Sequence, residues 1–306
     1  MRGEDGEVLG MDVLDWKDFC AAGAPVFGDR EIAMTLGVFD GFHLGHQRLI
    51  QKVVSQPRTY PVLFTFRRSP AELLPHRAFL GSLATTGQKL EECAGFGMKA
   101  AVLIDFSMDF SKLTAKEFLD IILDRMRLSK LILGENHRLG YRGEAGAREV
   151  QVLLNRRGIE VDIIPTLYCR GLRISSTRIR QTILEGDLAL AEEMLGRPYA
   201  LDLGFLKEGG FFQGAERKSG GEGFIYAVPV RGFPQILPPP GEYPVLYESS
   251  GEFFPARLVL DNGYMQWEQV REIPGTKIFF CHSKNTGDGD VVNKRKKAEH
   301  YKGLRS

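Results

Sequence analysis

From Ile32 to about Tyr199, short apolar runs alternate with longer amphipathic ones. The short runs, rich in β-branched residues or Leu, predict strands at Ile32–Phe39, Tyr60–Phe66, Ala100–Ile104, Leu128–Gly134 and Val161–Pro165. The stretches between them predict helices at Leu44–Ser55, Gly87–Ala94, Ala115–Arg127 and Ala145–Arg157. Strands that are apolar throughout are covered on both faces, so this order reads as β-α units around a parallel sheet, an α/β architecture. Two short helices, Ser176–Glu185 and Leu188–Leu195, follow the fifth strand, with Asp187 placed to cap the second.

Beyond Leu201 the pattern changes to short apolar runs punctuated by Gly and Pro: GFIYAVPV, EYPVLYE, FFPARLVL and KIFFC. Eight of the 15 prolines and 15 of the 35 glycines lie from Leu201 onward, which predicts a small, mainly antiparallel, barrel-like β domain. From Lys284 the chain is polar and of mixed charge, the texture of a solvated tail. With 306 residues, the chain is long enough for two domains with ordinary cores. The balance of 40 Lys+Arg against 39 Asp+Glu supplies no general pull toward nucleic acid or anionic lipid. The four cysteines form no CxxC pair, and no run approaches the ~18 apolar residues of a membrane span. The N-terminus does not read as a signal peptide, so a reducing, cytoplasmic setting is expected.

The richest segment is LGVFDGFHLGHQRLI, Leu36 to Ile50, where an apolar strand runs through a glycine-flanked turn into an amphipathic helix. Open α/β sheets bind ligands at the C-terminal ends of their strands, and a helix N-terminus offers unpaired N–H groups and a partial positive charge to an anion. His43 and His46 share one face of that first turn, and each imidazole can donate to a phosphate oxygen. Gly41 and Gly45 allow a close approach of backbone and ligand. A zinc site is disfavoured because no nearby Cys or third His completes it.

GVFDGFHLGHQ resembles the HxGH motif of the nucleotidylyltransferase superfamily, in the GxFDGxHxGH version of the bacterial bifunctional riboflavin kinase/FMN adenylyltransferases. Three further segments are similar to that family's patterns in the same order. LTAKEFLDIIL resembles its helix after the third strand, LILGENHRLGYRGEAG its GxNFxFGxxxxG loop, and RISSTRIRQTILEGDLALAEEMLGRPY its ISSTxIRxxLxxGDxxxAxxLLGRPY segment. The resemblance covers about residues 11–200. It implies a Rossmann-like parallel-sheet nucleotidylyltransferase domain over 11–199, a divergent riboflavin kinase-like β domain over 200–283 and a disordered polar tail over 284–306.

The implied reaction is transfer of AMP from ATP to FMN, giving FAD and pyrophosphate, with Mg²⁺ neutralising the polyphosphate. Such chemistry needs alignment and charge stabilisation rather than a covalent nucleophile. His43, His46, Ser176 and Arg180 are the expected catalytic residues, the last two in a second phosphate clamp with Ser175 and Thr177 at a helix start. Gly37, Phe39, Asp40, Gly41, Gly45, Thr65, Phe66, Gly134 and Asn136 are the expected substrate-binding residues, and Asn136 is also the expected metal ligand. Three departures stand out. His137 and Leu139 replace the loop's two aromatics, Arg68-Ser69-Pro70 stands for PHP, and RGFPQILPPP lacks the kinase motif GxPTAN. The downstream Glu expected to act as base in the kinase also has no convincing counterpart. A γ-phosphate transfer needs both metal placement and proton removal. The expectation is therefore an FMN adenylyltransferase without kinase activity. An intact bifunctional enzyme, a nucleotidylyltransferase for another phosphate, and a non-catalytic flavin-nucleotide binding protein are the alternatives.

Overall fold

The computed structural model describes residues 7–8, 10–73, 79–204, 213–217, 224–249, 251–261, 263–269 and 277–281. The expected tail over 284–306 lies outside them. Two compact units emerge. The first comprises residues 1–79 and 86–175, and the second residues 80–85 and 176–306.

The first unit is built on a sheet whose strands are β1 (Glu7–Val8), β2 (Met11–Asp15), β3 (Ile32–Gly37), β4 (Tyr60–Phe66), β5 (Ala100–Ile104) and β6 (Leu128–Gly134). A two-residue pair, β7 (Arg138–Leu139) and β8 (Ala145–Gly146), precedes the last sheet strand, β9 (Glu160–Ile164). Their helices are α1 (Trp16–Ala21), α2 (Leu44–Val54), α3 (Pro70–Leu73), α4 (Thr86–Gly95), α5 (Ala115–Arg125) and α6 (Ala147–Asn155). The order in the sheet is β1-β2-β5-β4-β3-β6-β9, parallel from β2 to β9, with β1 antiparallel at one edge. Alternate residues serve opposite faces. Ile32, Met34 and Leu36 join Val62, Phe64, Leu131 and Leu133 in one core, whereas Ala33 joins Leu63, Ala101 and Ile132 in the other, under Ile50 and Val53 of α2. This two-sided covering is why the strands carry no polar alternation.

The five expected strands are present, with differences at their ends. The first stops at Gly37 rather than Phe39, because Phe39 turns into the left-handed region at φ 52°. The last runs Glu160–Ile164 instead of Val161–Pro165. The helix expected at Ala145–Arg157 is shorter, since Ala145 and Gly146 pair with Leu139 and Arg138 before the helix starts. The β2–α1 opening was not expected. Its burial is led by Met11 and Phe19, both fully enclosed.

In the second unit, α7 (Ser176–Leu184) and α8 (Leu188–Leu195) come first, the latter capped by the Asp187 side chain, which accepts from Leu190 N–H at 3.0 Å. A short hairpin of the first unit, β10 (Tyr168–Cys169) and β11 (Leu172–Arg173), precedes them. The compact units thus divide at Ser175–Ser176, and residue 200 marks instead the entry into strands. Those are β12 (Ala200–Asp202), β13 (Gln213–Arg217), β14 (Phe224–Pro229), β15 (Gly241–Ser249), β16 (Glu252–Leu260), β17 (Tyr264–Gln269) and β18 (Lys277–Phe280). They form one antiparallel sheet in the order β12-β18-β15-β16-β17-β14-β13. Tyr226 stacks on Trp267, and Tyr199 of LGRPY stacks on Phe280, so aromatics supply much of this core.

Candidate active site

The chain runs from β3 to β4 and β5 on one side, then crosses to β6 and β9 on the other, so the order of the sheet reverses between β3 and β6. A crevice outside the carboxyl ends of the strands at such a switch point is where open α/β sheets take ligands. The turn after β3 carries the paired histidines, and the turn after β6 carries Gly134 and Asn136.

The first turn is tightly wound. Phe39 and Phe42 hold positive φ at 52° and 44°, and Gly41 lies at 77°. Left-handed backbone costs a non-glycine residue of order 1 kcal/mol or more and persists only where the surroundings over-determine it. Here the two phenyl rings are buried, Phe42 against Phe96, and Gln47 donates to the Phe42 carbonyl at 3.0 Å. Burial of the rings offsets the backbone cost.

His43 is the N-cap of α2. The His46 backbone N–H donates to the His43 carbonyl at 2.7 Å and, as a longer second contact, to His43 Nδ1 at 3.4 Å. The two imidazoles stack 3.6 Å apart at 16°, and the Phe39 ring lies 4.9 Å from His46. A Cβ on Gly45 would stand 3.2 Å from the His43 ring, which explains glycine at the first turn of a helix. Gly37 similarly lies under the Phe39 ring, 3.1 Å from where its own Cβ would be.

Beneath this turn is a lysine that the sequence did not single out. Lys89 of α4 is 6% exposed, and its Nζ donates to the Phe66 carbonyl at 2.6 Å and the Val38 carbonyl at 3.2 Å. Burial pushes its pKa down to about 8, against the opposing pull of Asp40. A neutral amine still has two N–H groups for these two carbonyls, so the contacts survive deprotonation. The available signal was a lysine one residue before Leu90 and four before Cys93, on the apolar face of its helix. Thr65 is fully buried, and its hydroxyl donates to the same Val38 carbonyl at 3.1 Å. Its observed contact is with the turn backbone. Phe66 is half-buried and packs edge-on against Phe106 and Phe110.

At the end of β6, Asn136 is exposed. Its amide donates to Thr166 Oγ1 at 2.7 Å and to Glu135 at 3.5 Å, which leaves the amide oxygen as the group it can offer to a cation. Glu135 is held below the usual carboxylate range, chiefly by hydrogen bonds from Thr166. Among the described residues no group of three or more His, Cys, Asp or Glu could hold a metal. An amide oxygen at this place is a hard donor of the kind Mg²⁺ accepts. His137, which replaces an aromatic, has its Nε2 sealed from solvent without a hydrogen-bond partner, and burial lowers its pKa to about 4. The ring is neutral at pH 7.

The other expected clamp falls in the second unit. Ser176 and Thr177 open α7, and Arg180, one turn on, donates its Nε to the Gly81 carbonyl at 2.8 Å. Arg178 is exposed. Ser175 ends the first unit.

A parallel sheet with a histidine-capped helix at its switch point defines the class as an open α/β domain with a candidate ligand site at its strand ends. Residues 28–178 match the FAD synthetase family model. The bifunctional riboflavin kinase/FMN adenylyltransferase of Escherichia coli (strain K12) is 35% identical over 176 residues, covering 55% of this chain and 55% of that protein. An FAD synthetase of Listeria monocytogenes is 27% identical over 179 residues, 58% of this chain and 73% of its own length. The match thus spans about half the length of the bifunctional relatives. A solved structure described as a macrolide-efflux protein from Streptococcus pneumoniae shares the fold with TM-score 0.70 at 24% identity, over 88% of this chain and 98% of that one. At that identity the likeness concerns the fold alone. No helix among the described residues is long and apolar enough to cross a membrane.

Proposed function

We propose that this chain is an FMN adenylyltransferase that makes FAD and pyrophosphate from ATP and FMN and has no riboflavin kinase activity. The observation that carries the reading is the His43–His46 pair on the N-terminus of α2. The two rings stack on each other at the switch point of a domain similar to FAD synthetases, and an imidazole N–H there can donate to a phosphate oxygen.

An oxygen of the FMN phosphate attacks the α-phosphorus of ATP, the bond to the bridging oxygen breaks, and pyrophosphate leaves with the electron pair. His43 Nε2, His46 and the first N–H groups of α2 stabilise the charge that develops on the α-phosphate. Gly37, Phe39, Asp40, Gly41 and Gly45 shape the turn that presents them. Ser175, Ser176, Thr177 and Arg180 bind the polyphosphate, Arg180 through its planar guanidinium. Mg²⁺, when bound, would neutralise the polyphosphate, and the Asn136 amide oxygen would help to hold it. Gly134 and Phe66 border the flavin nucleotide, and Thr65 holds the turn from below. The setting is cytoplasmic and the partners are small molecules, with no role for nucleic acid or membrane.

Loss of the kinase is supported by the turn at Gly232–Leu237, where GFPQIL occupies the place of GxPTAN. Gln235 is 2% exposed, and its amide donates to the Leu83 and Ala200 carbonyls at 3.1 and 3.0 Å. Both donor protons of that side chain go to backbone. Chromatography of products from riboflavin and from FMN, each with ATP and Mg²⁺, tests both statements. FAD from FMN and nothing from riboflavin is expected. FMN formed from riboflavin would reinstate the bifunctional enzyme, and absence of both FAD and pyrophosphate would favour a binding protein.

A further inference from the structure

Residues 80–85 interrupt the first unit in sequence but belong to the second in space. This strap has no regular secondary structure of its own, yet it is held at several points. Ser82 N–H donates to the Pro234 carbonyl at 3.0 Å and the Ser82 carbonyl accepts from Ile236 N–H at 2.9 Å, making an isolated parallel bridge with Gln235. Gln235 takes the Leu83 carbonyl, as above, and its Oε1 accepts from Asp202 N–H at 2.6 Å. The Asp202 carboxylate accepts from the Thr85 hydroxyl at 2.5 Å. Tyr199 of LGRPY donates to the Ile236 carbonyl at 2.7 Å. Gly81 sits at φ 108°, and a Cβ there would come within 2.9 Å of Ile236 N, so the strap lies flush on the turn only because residue 81 is glycine.

The free face of this arrangement is the Gly81 carbonyl, and it receives Nε of Arg180. A guanidinium is a rigid planar fork, so fixing Nε fixes the plane and direction of the two terminal nitrogens. Ser82 and Gln235 hold the strap whose Gly81 carbonyl takes the Arg180 Nε–H.

We infer that the turn Gly232–Ile236 of the second unit serves adenylyl transfer, holding the strap 80–85 so that the Gly81 carbonyl orients Arg180; Gln235 and Gly81 are positioning residues acting through that arginine. The inference rests on the FMN adenylyltransferase reading. It gives the second unit a part in the reaction although its kinase motif is gone, and it explains why a buried glutamine stands at that place. The polar groups of Gln235 complete a backbone network that an apolar residue would leave with orphaned donors and acceptors.

A double-mutant cycle on the full chain tests it, with FAD formation as the readout. Gly81→Ala should lower kcat about 10-fold, the scale of a modest misplacement of a catalytic group. Arg180→Lys deletes Nε, so adding Gly81→Ala to it should change kcat less than about twofold. Thr85→Val, which removes one hydroxyl from the far end of the strap, provides a gentler member of the series and should show the same dependence on Arg180. Thermal midpoints of all variants report folding. Equal losses from Gly81→Ala and Thr85→Val in the presence and absence of Arg180 would overturn the inference, as would folded variants with undiminished kcat. Should the unaltered chain form no FAD, the functional reading fails first, and the cycle is not reached.

Discussion

Two turns in this molecule stand where a nucleotide phosphate would be expected from the family patterns, one in each compact unit, and they use their polar groups in opposite ways. Between Gly37 and Gly45, polar groups from elsewhere, Lys89 and Thr65, hold the backbone, and the imidazoles crown a helix N-terminus. Between Gly232 and Leu237 the central side chain, Gln235, bonds inward to three backbone groups, and Ile236 beside it is 2% exposed. A phosphate site requires donors whose geometry is fixed by neighbours while their protons face a ligand. The first turn separates holding from presenting. In the second, the motif position itself does the holding.

The largest expected effect tests the presenting side of that contrast. His46→Ala should lower the turnover of FAD formation by about 10² or more, the scale of removing a preorganised charge stabiliser. An unchanged kcat would remove His46 from the chemistry. Gly45→Ala asks whether the close approach of the His43 ring matters. Alanine favours the helix by up to ~1 kcal/mol, so the thermal midpoint should hold or rise while kcat falls about 10-fold as the ring shifts. A fall in both together would make Gly45 a purely structural residue.

The second turn is tested by the reverse substitutions. Gln235→Thr with Leu237→Asn restores motif residues, but the Leu83 and Ala200 carbonyls and the Asp202 N–H lose their partner. Unfolding free energy should fall by about 1–3 kcal/mol in a denaturant titration. Phosphorylation of riboflavin should stay at background, and kinase activity gained by this pair would show that the turn is dormant rather than re-employed.

The smallest effect concerns the lysine under the first turn. Below pH 8, Lys89 is charged both folded and unfolded, and the folded state bears the burial cost in full. Between pH 8 and its ordinary 10.5, the folded state has released the proton and the unfolded chain has not, so stability rises with pH. Denaturant midpoints of wild type and Lys89→Met should therefore diverge in favour of wild type across that window. Parallel pH profiles would contradict the buried, depressed lysine.

The order of elements in the first unit, the start of the histidine-bearing helix at Leu44 and the Ser176 start of its helix were legible because each depends on local periodicity or on neighbours within one turn. The pattern places the start of α6 at Ala145, whereas Ala145 and Gly146 are consumed by a ladder with Arg138 and Leu139, and pairing across a loop leaves no helical signature in the sequence. Thr65 reads as a strand residue facing a pocket, and only the fold reveals that its hydroxyl is under Val38. Lys89 illustrates the same limit. A charge on a helix's apolar face suggests burial, but the two carbonyls that satisfy it come from positions 51 and 23 residues away in the chain.

The sequence by itself determined the α/β class, the strand-to-helix turn with its paired imidazoles, the antiparallel character of the second unit and the absence of a kinase motif from its turn. These follow from patterns and residue types within short windows. The tertiary structure alone decided that Lys89 and Thr65 hold the backbone of the first turn, that residues 80–85 join the second unit, and that Gln235 and Arg180 meet that strap at Leu83 and Gly81. Hydrogen bonds between distant segments are set by where the packed core brings backbone carbonyls, and local sequence does not encode those positions.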